Sequence, residues 1–235
     1  MARRREPGYK VGMLQIETAK GLQSAHIKSI TLTTFSVAGS TLMQPDGCWD
    51  FAILKRDGHE TVLRTGLTTK AVTYEHQPGD EILTISFRAS TFMPLMPGED
   101  MRNEGVVLPE IGSDRFWLGT DVLEIPNFGN ADVFAEKLIR ADIVQSNDIV
   151  ASVLDGHPKA MSERTLQRHF LKTTGLTYKA FTQIERAQQA MSLLQLGRAA
   201  ADVAFALGFT DQAHMINSLK AIMGQTPRQI VGAGR

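Results

Sequence analysis

The chain has 235 residues, of which 43% are hydrophobic and 21% are charged, and its 25 Lys and Arg equal its 25 Asp and Glu. This ordinary balance excludes disordered and fibrous proteins, and every apolar run is far shorter than the roughly 20 residues of a membrane-spanning helix. The basic start Met1-Ala2-Arg3-Arg4-Arg5 leads into polar residues, so we expect no secretory signal and a cytoplasmic protein. The single cysteine, Cys48, cannot form an internal disulfide, and we expect it to be a small buried side chain.

The first part of the chain has the pattern of β-strands. Runs of β-branched and aromatic residues are separated by turn residues such as Asp57-Gly58 and Gln77-Pro78-Gly79-Asp80. The predicted strands are His26–Phe35, Trp49–Lys55, Thr61–Thr65, Ala71–Tyr74 and Glu81–Phe87. The prolines and glycines between Met93 and Gly129 favour loops and short elements. The pattern predicts an antiparallel sandwich or barrel.

After Pro126–Asn130 the pattern becomes helical. Apolar residues recur at helical intervals over Ala131–Gln145 and again over Tyr178–Leu196. We therefore predict an α+β protein of two domains, with an antiparallel β-rich domain at residues 1–126 and an all-α domain at residues 127–235.

The charges are divided unevenly along the chain. From Lys159 to Arg235 there are ten Lys and Arg against four Asp and Glu, a net charge of +6, so the remainder carries −6. A basic C-terminal third on an acidic remainder indicates that this part binds a polyanion.

The C-terminal region contains an internal repeat with a shift of 49 residues, in which Ser162–Phe170 corresponds to Asp211–Leu219. Both segments begin with a residue that can cap a helix N-terminus. The apolar positions Leu166 and Phe170 recur as Met215 and Leu219. Beyond the helices, Gly175-Leu176-Thr177 corresponds to Gly224-Gln225-Thr226, a glycine stop followed by a threonine cap. One helix design is therefore used twice.

The outward face of the first repeated helix suits a DNA major groove. If Leu166 and Phe170 face inward, Arg164, Gln167 and Arg168 lie together on the opposite face. Arg can donate to guanine O6 and N7, and Gln can pair with adenine. The alternative is a solvated polar face, but the duplication favours recognition of DNA.

The second repeated helix has lost these side chains, because the matching positions are Ala213, Ile216 and Asn217. The helix over Tyr178–Leu196 would span ~28 Å at 1.5 Å per residue, close to the roughly 34 Å between successive major grooves. We expect the first helix to set most sequence preference and the second to add apolar and phosphate contacts, with a further phosphate at the helix start beside Arg228. The predicted DNA-binding residues are Arg164, Thr165, Gln167, Arg168, Lys172, Gln212, His214, Asn217, Lys220, Thr226 and Arg228.

These residues resemble the AraC/XylS family of bacterial transcription regulators over about Ala131 to Val231. The resemblance lies in Ser162–Phe170, Thr174–Thr177, Arg186 with Ala190 and Leu194, Val203–His214 and Gly224–Pro227. It implies two helix-turn-helix units in adjacent major grooves, joined by a long helix. It also implies a regulator, usually an activator, that contacts RNA polymerase. Since one chain carries two units, it could act as a monomer, whereas the helix Ala131–Gln145 could instead support a homodimer.

The sequence departs from the family pattern in two places. Asp155–Met161, between the expected first helix near Asp148–Leu154 and the recognition helix, is longer than the usual turn of about 3–4 residues. Aromatic and Arg positions common in the family's second unit are here Met215, Asn217, Leu219 and Met223.

Regulators of this family often carry a β-barrel sensor domain similar to the cupins, and Gln44–Asp50 with Ile85–Arg88 resembles part of one. A small-molecule effector there would have apolar walls and one anion anchor, Arg88. The candidate effector-binding residues are Trp49, Phe87, Arg88 and Phe92. The alternative is that the aromatic residues fill the core and Arg88 pairs with an acid.

Three histidines, His26, His59 and His76, raise the alternative of a metal-dependent cupin-like enzyme with an accessory helical domain. Their spacing does not match a metal-ligand pattern, and we expect no metal site, no cofactor and no enzyme. A third alternative is that the helical domain binds another protein.

Overall fold

A computed structural model describes residues 9–11, 14–19, 24–157 and 160–232. The strands are β1 Tyr9–Val11, β2 Leu14–Thr18, β3 Ile27–Phe35, β4 Gly39–Met43, β5 Trp49–Arg56, β6 His59–Thr65, β7 Val72–His76, β8 Glu81–Phe87, β9 Thr91–Phe92, β10 Gly105–Val107, β11 Glu110–Ile111, β12 Arg115–Leu118, β13 Asp121–Glu124 and β14 Gln145–Ser146. The helices are α1 Gly98–Met101, α2 Ala131–Arg140, α3 Asp148–Leu154, α4 Glu163–Thr174, α5 Tyr178–Gln195, α6 Ala200–Ala206, α7 Gln212–Met223 and α8 Pro227–Gly232.

The strands β1 to β13, which we call the β-domain, form antiparallel sheets. The largest has the order β1-β2-β3-β8-β5-β6-β10, and smaller sheets pair β4 with β7 and join β11, β12 and β13. The central strands β5 and β8 have apolar residues on both faces, and other residues of the protein pack against each face. Phe51 contacts Phe116 and Phe134 on one face, whereas Phe35, Ala52 and Ile82 cluster on the other. The predicted α+β fold, with antiparallel sheets first and helices after them, is confirmed.

The helix predicted over Ala131–Gln145 is shorter in the structure, and the prediction of its end was wrong. It ends at Arg140, and Asp142 takes a left-handed backbone conformation with φ of 56°. That turn brings Val144 into the core and lets Gln145–Ser146 pair with β9. Tertiary pairing here prevails over the helical pattern of the sequence.

The hydrophobic core has two main parts. The larger cluster runs from the β-domain through α2 and α3 to α4 and the first half of α5, and it includes Phe51, Phe134, Phe170 and Phe181. The second joins the later half of α5 to α6, α7 and α8. The boundary predicted after residue 126 falls between β13 and α2, but α2 itself packs against the β-domain.

Cys48 is buried, as expected, and burial raises the pKa of its thiol above the ordinary range. Among the described residues, no helix has both the length and the apolar character needed to cross a membrane.

Candidate nucleic-acid interface

The first helix-turn-helix unit consists of α3 and α4. Ser162 caps α4, since its Oγ accepts a hydrogen bond from the Thr165 N–H at 3.2 Å. Gly175 ends the helix in a left-handed conformation, and its N–H donates a hydrogen bond to the carbonyl of Leu171. Both caps and the position of α3 are as predicted. The turn before α4 contains two residues, Pro158 and Lys159, that lie outside the described part of the chain.

The side chains predicted to contact bases lie on the outside of α4. Arg164, Gln167, Arg168 and Lys172 are exposed, while Phe170 is fully buried on the opposite side. Thr165 is half-buried, and its hydroxyl lies 2.9 Å from Ser162 Oγ. The amide of Gln167 donates to Glu163 Oε1 at 3.2 Å, so it must exchange this partner to pair with a base. The face therefore presents two guanidinium groups and an ammonium group to solvent.

Asn147, which the sequence interpretation missed, joins the first unit to the β-domain. Its Oδ1 accepts from two backbone N–H groups at the start of α3. Its Nδ2 donates to Thr173 Oγ1 at 2.8 Å and lies 3.1 Å from His169 Nδ1, both on α4. Its backbone N–H donates to the carbonyl of Ser90 at 2.7 Å. Asn147 thus fixes α3 against α4 with its side chain and joins both to the turn after β8 with its backbone N–H.

The end of α4 also packs against α1 through two glycines. A Cβ on Gly98 would clash with the carbonyl oxygen of Thr173, and one on Gly175 would clash with the carbonyl oxygen of Gly98. Only residues without a side chain permit this approach. The first recognition helix is therefore held at both its cap and its buried face.

The second unit consists of α6 and α7. Asp211 Oδ1 caps α7 by accepting from the His214 N–H at 2.7 Å, and Gly224 ends the helix in a left-handed conformation, as predicted. Gln212, Asn217 and Lys220 are exposed. Lys220 is the one Lys or Arg in α7, so this unit presents far less positive charge than the first.

Two other predicted contacts lie at the edges of the second unit. The ring of His214 is exposed but packs edge-on against Phe209 at 5.5 Å, and its Nδ1 lies 3.3 Å from Thr210 Oγ1. The helix α8 has only six residues, and the Thr226 N–H at its start donates to Gln229 Oε1 at 2.9 Å. Arg228 is exposed beside it.

The candidate effector residues lie in three places. Trp49 and Phe87 are fully buried and stacked with ring centroids 4.2 Å apart, and Arg64 lies over the Trp49 ring. These two aromatics therefore fill the core, which is the alternative that the sequence left open. Phe92 lies in β9 opposite Gln145. Arg88 is exposed and lines a cleft of about 610 Å³.

This cleft lies between the β-domain and the helices α3 and α5. Its β-domain wall includes Lys28 and Arg88, and its helical wall includes Asp148, Phe181 and Glu185. Burial raises the pKa of Glu185, and nearby Lys28 opposes that shift.

The histidines of the metal hypothesis do not converge. His59 lies 3.5 Å from Glu110, and His76 is buried, stacked on Phe35 and within 3.0 Å of the Val37 carbonyl. No group of three metal-ligating side chains occurs among the described residues.

Residues 159–232 match a family described as helix-turn-helix domain. No protein of curated function matches the chain. Among solved structures, ToxT from Vibrio cholerae aligns with 94% of this chain and 98% of its own at 8% identity and a TM-score of 0.39. ToxT bound to (E)-4-(8-methylnaphthalen-1-yl)but-3-enoic acid aligns with 88% of this chain and 100% of its own at 9% identity and a TM-score of 0.38. The assignment of two helix-turn-helix units follows from the family match and from the helices α3, α4, α6 and α7.

Proposed function

We propose that the chain is an AraC-type regulator of transcription that binds specific duplex DNA with α4 and α7, in keeping with the helix-turn-helix match at residues 159–232. The observation that carries this proposal is the duplicated helix, in which caps, buried residues and glycine stops recur 49 residues apart while the outward side chains differ. A repeat kept only for packing would not need a cationic outer face on α4.

We assign most base recognition to the first unit. Arg164 and Arg168 are exposed and can each donate a pair of hydrogen bonds to a guanine. In the second unit, Gln212 and Asn217 can contact bases or phosphates, but only Lys220 brings a positive charge on the helix. The 18 residues of α5 span ~27 Å at 1.5 Å per residue, which suits two helices in successive grooves.

The partners of the regulator follow from the family resemblance. We propose that the protein activates transcription through RNA polymerase and works on chromosomal DNA in the cytoplasm. Since one chain carries two units, a monomer can occupy two half-sites, and a dimer would occupy four. The length of the selected DNA site distinguishes these two states.

We propose that the cleft beside Arg88 holds a small-molecule effector. Its volume of about 610 Å³ is in the range of small-molecule sites. The β-domain wall offers a guanidinium group and the helical wall offers the carboxylates of Asp148 and Glu185. This pairing fits a small zwitterion, such as an amino acid or a short peptide, whose charged ends would bridge the β-domain and the first unit.

The enzyme alternative has no support, because the family match concerns DNA binding. The three histidines that motivated it lie apart in the structure, and two of them already have partners.

The DNA proposal is tested by selecting sites from genomic fragments with the purified full chain at ~50 mM and ~200 mM salt, because phosphate contacts weaken steeply over that range. We expect one enriched motif whose ranking survives the higher salt. Unranked binding that disappears with salt would reduce the protein to a general polyanion binder.

The effector proposal is tested by thermal shift with free amino acids and tripeptides on the full chain and on Arg88→Gln. We expect at least one zwitterion to raise the melting temperature of the natural chain and not that of Arg88→Gln. Shifts of equal size in both proteins, or none in either, would place the effector elsewhere.

A further inference from the structure

The second unit is attached to the β-domain by a small set of polar contacts. Its buried core residues form a cluster separate from the one shared by the β-domain and the first unit, and half-buried Ile222 of α7 packs against both clusters. The Ala71 N–H donates to the carbonyl of Ile222 at 2.8 Å. The amide of Gln44 donates to the carbonyl of Met223 at 3.2 Å and to Gln225 Oε1 at 3.0 Å. We call these contacts the latch.

The latch contacts the C-terminal end of α7, where backbone carbonyls are free to accept hydrogen bonds. The last four carbonyls of a helix have no partner within the helix. Here the β-domain supplies donors to two of them, those of Ile222 and Met223. The second recognition helix thus has part of its cap provided by another domain.

The contact is close because α7 ends in glycine. A Cβ on Gly224 would lie 3.2 Å from both the Ala71 Cβ and a methyl group of Leu42, and the glycine itself has φ of 69°. A larger residue would require these neighbours to shift by a few tenths of an ångström and would adopt a strained backbone. This is the same repeat position that, as Gly175, docks the first recognition helix against α1.

The segment Gln44–Cys48 extends the latch toward α5 and the first unit. The amide of Gln188, on α5, donates to the carbonyl of Pro45 at 2.8 Å. Gly47 packs near the ring of Phe181, also on α5 and part of the larger core. One short segment therefore contacts the connecting helix at two points and the second recognition helix at a third.

We propose that Gln44 and Ala71 position the second recognition helix, so that the β-domain, and not α5 alone, sets the spacing and angle between the two DNA-binding units. The first unit shares its core with the β-domain, α5 leads to the second unit, and the latch returns to the β-domain. These connections form a closed ring from the β-domain through both units and back. The ring restricts rotation of α7 about the end of α5. The inference rests on the proposed function, since it assumes that α4 and α7 both contact DNA.

The ring also reaches the cleft proposed for an effector. Asp46, Gly47 and Cys48 line that cleft, and Gln44 begins the same segment. An occupant that displaces the segment would therefore act on the latch. The effect of the latch on DNA binding, however, can be measured without any effector.

The test measures how strictly the full chain requires one spacing between half-sites. The selected site is remade with one or two base pairs inserted or deleted between its halves, and affinities are compared for the natural chain and Gln44→Met. Met has a similar length but no amide donor. We expect the affinity of Gln44→Met at the natural spacing to fall about tenfold, the scale of one or two lost hydrogen bonds, and its preference over shifted spacings to shrink toward none.

Three further variants make the result specific. Gln44→Lys keeps a donor at this position and should retain the spacing preference. Gly224→Ala should lose the preference because its Cβ crowds Ala71 and Leu42 and strains the end of α7. Gln77→Met makes the same change at an exposed turn of the β-domain and should behave like the natural chain. Melting followed by tryptophan fluorescence verifies that each variant is folded.

The outcomes separate this inference from the proposed function. If Gln44→Met and Gly224→Ala are folded and keep the natural spacing preference, the latch does not position α7 and the inference is overturned. If the natural chain selects no DNA site at all, the proposed function fails, and the inference that rests on it fails with it.

Discussion

In the first helix-turn-helix unit, Phe170 packs into the same hydrophobic cluster as the β-domain, whereas its repeat counterpart Leu219 packs into a separate cluster with α5, α6 and α8. The first unit is also tied to the β-domain by Asn147 and by the glycine contact with α1. The second unit is held mainly by α5 and the latch. The same helix design thus has an apolar, continuous support in one place and a polar, local support in the other.

This difference parallels the difference in charge. The unit with the rigid support presents Arg164, Arg168 and Lys172, while the unit with the polar support presents Lys220. Base contacts need side chains held in fixed positions, whereas phosphate and apolar contacts tolerate small changes of angle. We infer that the first unit selects the site and that the latch holds the second unit at the spacing where it adds its own contacts.

The largest expected effect follows from truncating the matched core residues. Phe170→Ala should cost ~3–5 kcal/mol and Leu219→Ala ~2–5 kcal/mol, the usual range for buried side chains. Because Phe170 belongs to the shared core, its truncation should lower the melting transition seen by tryptophan fluorescence, which reports on Trp49 and Trp117 of the β-domain. Leu219→Ala should leave that transition in place and instead speed amide hydrogen exchange in α7.

The comparison fails if the two variants behave alike. If Leu219→Ala lowers the melting temperature seen by tryptophan fluorescence as much as Phe170→Ala does, the two clusters unfold as one unit. Met43→Ala, at an exposed site of the β-domain, controls for the loss of an apolar side chain without loss of core.

A second prediction uses the pH dependence of the β-domain. Burial raises the pKa of Asp50 to about 7, and the neighbouring carboxylate of Asp46 adds to the shift, while the hydroxyls of Ser86 and Thr65 oppose it. A carboxyl whose pKa is higher in the folded state contributes its full stability below the pKa of the unfolded chain, about 3.8. That contribution is lost as the pH rises through 7. Asp50→Asn should therefore flatten the stability profile between these limits.

At 1.36 kcal/mol per pH unit, this shift corresponds to a gain on the order of 4 kcal/mol for Asp50→Asn near pH 8. Since the first unit shares the core of the β-domain, slower amide exchange should accompany this gain in α4 but not in α7. Asp121→Asn, at an exposed position of β13, controls for removing one negative charge. A profile that keeps its slope in Asp50→Asn would show that another group governs the pH dependence.

Local sequence signals predicted the elements that depend on local interactions. Ser162 and Asp211 were identified as caps because a side-chain oxygen before an apolar repeat can accept from the next turn, and both do so. The buried stripe of each recognition helix followed from the spacing of apolar residues. The β-branched runs gave the main strands because their length and turn residues favour that structure.

The contacts that support the site could not be predicted in this way, because they join residues far apart in sequence. Gln44 lies 179 residues from Met223, and nothing in the pattern around either residue indicates the pairing. The glycine at 98 resembles any loop glycine until the end of α4 is placed against it. Likewise, the chain leaves its helical pattern after Arg140 because Gln145 pairs with β9, a partner that local periodicity does not reveal.

The third prediction compares single side chains at matched repeat positions, Arg168 and Asn217. If Arg168 contacts a guanine, Arg168→Ala should cost ~1–3 kcal/mol of binding free energy and relax the preference at one base pair. Asn217→Ala should cost less and relax no position as strongly, because the second unit contributes mainly nonspecific contacts. Lys172→Ala, expected to contact a phosphate, should weaken binding to all sequences and reduce the salt slope by about one. Titration of the selected site and its single-base variants measures all three, and a sharper loss of preference with Asn217→Ala than with Arg168→Ala would reverse the roles of the two units.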